Sequence, residues 1–177
     1  MECLKVYHYE SKERLGDYND GGYVIGIIDG DSNEIYDCYI SAGISNEESF
    51  SRDFIKKYQM NYANSYAFDG TINEYPYQYT RDISFIKKNI AAYNDECNTN
   101  LMELINKYDN IFLKMDIEGG EYRWILSMGE KELNKFAQIV IEFHGITNDE
   151  WGCKKEDKIQ CLNKLVKTHY LIHAHGN

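Results

Sequence analysis

The chain has 177 residues, 43% of them hydrophobic, which is enough for one domain with a real core and too few for two ordinary ones. Its 29 acidic against 19 basic residues leave a formal net charge of -10, which disfavours non-specific nucleic-acid binding because that depends on Lys and Arg displacing counterions. The longest apolar runs are about strand length, below the roughly 18 to 20 residues of a membrane-spanning helix. Met1-Glu2-Cys3-Leu4-Lys5 also lacks the basic-then-apolar layout of a secretory signal, so a soluble, cytoplasmic chain is expected. The five cysteines contain no C-x-x-C pair and read as free thiols, and the lack of any N-x-S/T acceptor agrees with that compartment.

In chain order, residues 23–28 are β-prone and 29–33 read as a turn into the next strand, giving an N-terminal hairpin or edge extension over 1–35, packed on the main domain. Asp29-Gly30-Asp31-Ser32-Asn33 also opens like a calcium loop. Glu34, however, stands where glycine is required, and Ile40 where the bidentate glutamate belongs. From residue 36 to 177 strand and helix signals alternate, the mark of a parallel sheet covered by helices. Residues 36–42 read as a first strand ending at Gly43. Ser45 and Glu48 have capping-box spacing, so a helix carrying Phe50, Phe54 and Tyr58 should begin near Asn46. Residues 65–68 form a second strand ending at Asp69, and 83–90 a third. Thr99 can cap a helix with Leu101, Leu104, Ile105 and Tyr108 on one stripe, followed by a buried strand over 110–117. A helix over 119–128 is stopped by Gly129, and 137–143 is the clearest strand. Ile159, Leu162 and Val166 mark a last helix, and 170–174 a last strand. No repeat or Pro/Gly/Ser-rich linker divides the chain.

Three clusters at strand ends carry chemistry. In Y-I-S-A-G-I-S-N-E-E-S-F, Gly43 separates a strand from a helix, so backbone N–H groups can approach a ligand; the bland alternative is an ordinary turn glycine. Asp69 ends the neighbouring strand, where an acidic residue can accept both ribose hydroxyls of a nucleoside; the alternative is a turn cap. In L-K-M-D-I-E-G-G-E-Y and I-E-F-H-G, Asp116, Glu118, Glu142 and His144 share one sheet edge. His144 suits a general base. The carboxylates suit substrate hydroxyls or a divalent metal, with Asp116 and Glu142 the candidate ligands, unless they are ion-paired and His144 merely caps a loop. His173 and His175 are two apart on the last strand, but no third ligand has a recognisable spacing to them.

The run R-L-G-D-Y-N-D-G-G-Y-V, then Y-I-S-A-G-I, Y-A-F-D-G-T, F-L-K-M-D-I-E-G-G-E and I-E-F-H-G, resembles the FkbM-like methyltransferases over roughly residues 14–177. The resemblance implies a Rossmann-like class I fold binding S-adenosyl-L-methionine. Ser41, Ala42, Gly43 and Ile44 would form the methionine-side loop, Asp69 with Thr71 beside it would hold the ribose, and Asp116 would face the reaction centre. It further implies O-methylation of a carbohydrate or other small-molecule hydroxyl, with His144 and Asp116 as catalytic residues. Two departures stand out: the loop offers one glycine and no acid, and the final antiparallel strand of such sheets is missing. Residues 170–174 are expected to fill that gap by pairing parallel with 139–143. A catalytically inactive remnant serving as a binding or interaction module is the alternative reading.

Overall fold

The computed structural model describes residues 4–18, 21–28 and 35–176. Its centre is a five-stranded, wholly parallel sheet of β3 (Cys38–Ala42), β4 (Ser65–Phe68), β5 (Ser84–Ile86), β8 (Ile111–Met115) and β9 (Phe136–Ile141), in the order β5-β4-β3-β8-β9. Chain order reverses between β3 and β8, so this doubly wound, Rossmann-like sheet opens its ligand crevice at their carboxyl ends. The short strands β6 (Asn89–Ile90) and β7 (Asn98–Thr99) pair separately.

Alternation along the strands sorts the core into two halves. Cys38, Ile40, Ala42, Ile111, Leu113 and Met115 face α2 (Met102–Lys107), α3 (Glu121–Ser127) and α5 (Lys155–Leu165), joined there by Leu104, Trp124, Ile125 and Leu162. Tyr39 and Phe112 point the other way, into an aromatic cluster with Phe50, Phe54 and Tyr58 of α1 (Ser49–Tyr58). Phe54 stacks on Tyr39 at 4.6 Å and meets Phe112 at 4.2 Å between ring centroids. A short α4 (Glu130–Leu133) leads into β9.

Several expectations are corrected. The N-terminal hairpin exists, but β1 (Lys12–Leu15) pairs antiparallel with β2 (Tyr23–Gly26), upstream of the anticipated turn at 29–33, which lies outside the described residues. Helix α1 starts at Ser49 rather than near Asn46, because Ser45 takes a left-handed φ of 48° and Glu48 makes no cap bond, turning its carboxylate inward. The third strand divides into β5 and β6. Leu101, not Thr99, occupies the α2 N-cap, and Gly129, the first residue beyond the α3 C-cap Met128, also serves as the N-cap of α4.

The expected strand at 170–174 is absent. That segment runs without regular structure beside residues 7–12, with the Tyr7 N–H donating to the Leu171 carbonyl at 2.7 Å and Lys12 Nζ to the Ile172 carbonyl at 3.3 Å. The hairpin lies over the α1 side of the sheet, where its Leu15 and Ile25 join the aromatic cluster. The Gln138 amide clasps the Gly26 backbone, accepting from its N–H at 2.6 Å and donating to its carbonyl at 3.0 Å. A side chain of β9 thus anchors the hairpin, and β9 is the last strand of the sheet among the described residues. Among the described residues no helix is long and apolar enough to cross a membrane.

Candidate active site

The crevice is walled on one side by the β3–α1 loop. Gly43 has φ 77°, and a Cβ there would stand 1.5 Å from the Asp116 carbonyl oxygen, so only glycine fits. The loop is tied on every side: the Gly43 N–H bonds the Phe68 carbonyl at 2.9 Å, its carbonyl accepts from Lys114 Nζ at 2.6 Å, and the Asp116 N–H bonds the Ala42 carbonyl at 2.9 Å.

Asp69 completes that framework. Its Oδ2 accepts from the Ile44 and Ser45 N–H groups at 2.9 and 3.0 Å, and its Oδ1 from the Thr71 N–H and hydroxyl at 2.7 and 2.6 Å. Burial pushes its pKa up, but the Ser45, Thr71 and Ile44 donors outweigh this and hold it below the usual carboxylate range. A carboxylate offers about four lone-pair sites, and here all four are filled from within the chain. The residue expected to hold a ribose therefore serves in this structure as the brace of the glycine loop.

At the end of β8, Asp116 Oδ1 is buried without a hydrogen-bond partner, 3.8 Å from His144 Nε2. Burial raises the Asp116 pKa to about 6; Lys114 and His144 oppose the shift, while Glu142 and Glu118 add to it. Glu118 Oε2 lies 3.4 Å from His144 Nε2, at the exposed mouth. The other ring nitrogen, Nδ1, is 3.3 Å from Oε1 of Glu121, a fully buried residue at the start of α3. Trp151 packs against the imidazole with ring centroids 4.8 Å apart.

Two buried lysines and a glutamate hold this arrangement from beneath. Lys114 follows the β8 alternation to the α1 side, where Glu48 accepts from the Ser41 hydroxyl at 2.8 Å and the Tyr75 hydroxyl at 2.9 Å. Burial raises the Glu48 pKa, with Lys114 opposing. On the opposite face Lys158 of α5 is fully buried, donating to the Gly145 carbonyl at 2.6 Å and the Glu150 carbonyl at 2.8 Å, and so pins the loop that follows His144.

Of the residues singled out in the sequence, Gly43, Asp69, Asp116, Glu118 and His144 meet at this edge. Ser41, Ala42 and Ile44 are buried in the core, leaving Gly43 and the exposed Thr71 on the crevice side. For a metal, the ligand atoms of Asp116, Glu118 and His144 lie within 4.8 Å of one another, so the geometry groups Asp116 with those two rather than with Glu142. His173 and His175 bond each other at 3.1 Å and belong to no such group among the described residues. Sequence reasoning assigned no site role to Glu121 or Lys114, although both lay inside the quoted motif L-K-M-D-I-E-G-G-E-Y; it read Glu48 as a helix cap and passed over Lys158.

A parallel sheet reversing at β3/β8, with a glycine loop and an acid-imidazole cluster at that reversal, defines a Rossmann-like α/β methyltransferase fold. The chain matches the methyltransferase FkbM domain over residues 7–175, nearly its whole length, and belongs to that family. No individual curated protein and no solved structure matches it.

Proposed function

We propose that the chain is an S-adenosyl-L-methionine-dependent O-methyltransferase acting on a carbohydrate or other small-molecule hydroxyl. The observation that carries this reading is the partnerless, buried Asp116 Oδ1 beside His144 Nε2, at the sheet edge where Gly43 opens the crevice. Gly43 and Thr71 border the cofactor side, and the bound cofactor would supply a methyl group already activated as a sulfonium. His144 would accept the acceptor's hydroxyl proton at Nε2 as its oxygen takes the methyl group, the carbon–sulfur bond breaking to leave a neutral thioether, and Asp116 Oδ1 would orient the hydroxyl or the methyl donor. Trp151 shields the imidazole from water.

Calorimetry with S-adenosylmethionine and S-adenosylhomocysteine tests the reading. Micromolar binding of both, about -8 kcal/mol, supports it, and no binding by either overturns it. A second reading, a fold that keeps its architecture as a binding or interaction module without catalysis, is favoured by one observation: Asp69 has no lone pair left for a ribose.

A further inference from the structure

We infer that Glu121 is the positioning residue that fixes the tautomer of His144, keeping the proton on Nδ1 and the Nε2 lone pair aimed at the crevice. The inference rests on reading His144 as the base, but its test does not require turnover.

Glu121 is fully buried, and its Oε1 already accepts the Ile117 N–H at 3.0 Å and the Gly119 N–H at 3.3 Å. An oxygen that receives two backbone donors is an acceptor, so the contact with His144 Nδ1 at 3.3 Å requires the ring to donate. In the neutral imidazole Nε2 then carries the lone pair. It faces Asp116 Oδ1 at 3.8 Å and Glu118 Oε2 at 3.4 Å. Glu118 could draw the proton to Nε2 instead, but its side chain is 71% exposed while that of Glu121 is 0%, and a hydrogen bond is stronger away from water. The remaining charged neighbour, Lys158, donates to the His144 carbonyl at 3.5 Å and leaves the ring alone. Turning the ring over would exchange the nitrogens, and Trp151 packed on it opposes that. This explains why the last glutamate of D-I-E-G-G-E is buried at a helix start. It spans the backbone after β8 and the imidazole after β9, so one carboxylate sets the turn and the base together.

The test is two-bond ¹H–¹⁵N correlation NMR of the imidazoles in the full chain, without cofactor, at about pH 8.5, above the ordinary imidazole range. Spectra of His144→Ala assign the signals. The wild type is expected to show a pyrrole-type Nδ1 and a pyridine-type Nε2 at His144. Glu121→Gln, whose amide oxygen can accept the same three donors, should keep that pattern. Glu121→Leu should lose it, giving a mixture or the reversed tautomer, with circular dichroism unchanged. A wild-type Nε2–H tautomer, or an unchanged pattern in Glu121→Leu, overturns the inference. Should the leucine variant not fold, the wild-type spectrum still decides. Failure here leaves cofactor binding untouched, and absent cofactor binding leaves the tautomer untouched.

Discussion

Replacing Asp116 by Asn should stabilise the protein at neutral pH and do little in acid. The carboxyl titrates at about 6 in the folded chain against 3.8 ordinarily, so the folded state binds its proton more tightly than the unfolded state. Its contribution is therefore nil below about pH 3.8, grows increasingly unfavourable between 3.8 and 6, and is full above that. Two units correspond to about 3 kcal/mol at pH 7.5 and about 1 kcal/mol at pH 4.5. Because the side chain is 28% exposed, solvent screening brings the neutral-pH figure to about 2 kcal/mol. The asparagine cannot ionise and escapes the penalty. Urea unfolding followed by Trp124 and Trp151 fluorescence, in chelator-containing buffer, should give a larger wild-type-to-variant difference at pH 7.5 than at 4.5. A variant less stable than wild type at pH 7.5, or an equal difference at both, would refute the argument that burial of an unpaired carboxylate dominates this edge.

Asp69→Ala should lower the melting temperature by about 6 to 12 °C, since losing the loop brace costs roughly 3 kcal/mol; an unchanged midpoint with lost S-adenosylhomocysteine binding would restore the ribose role. As the folded pKa of Asp69 is depressed, its stabilisation is present above the ordinary carboxylate range and should fade as pH falls through the folded value. Lys158→Met should speed amide deuterium exchange over residues 144–151 while Ile111–Met115 exchanges as before, and equal protection in that loop would show that the ammonium pins nothing. His144→Ala should leave S-adenosylhomocysteine affinity unchanged and cut turnover by about 10²- to 10⁴-fold; collapse of binding would mark His144 as structural.

The strands that place the site were legible because each is short, apolar and bounded by polar residues: Ser65–Phe68 ends where Asp69 begins, and Ile111–Met115 where Asp116 begins. What escaped depended on partners distant in sequence. Ser45 and Glu48 have the spacing of a capping box, yet Ser41 and Tyr75 draw the glutamate inward and Asp69 claims the Ser45 N–H. The β-prone segment at 170–174 could not reveal that its partners would be residues 7–12 and not β9. Glu121 stood in plain view within a motif, but its use depends on His144, which arrives from the next strand. Lys114 and Lys158 stand at buried positions where the apolar pattern is broken, so by period alone they read as solvent-facing residues.

The contact between Gly43 and the Asp116 carbonyl oxygen sets a mechanical limit on the molecule. Where two side chains meet, rotamers can absorb a displacement; where two backbones meet, nothing soft lies between them. The Gly43 loop and the Asp116 end of β8 therefore move as one body, and a push on either is felt by the other at once. Any change of shape along this edge must then come from side chains at its exposed mouth, such as Glu118, and not from the seam beneath them.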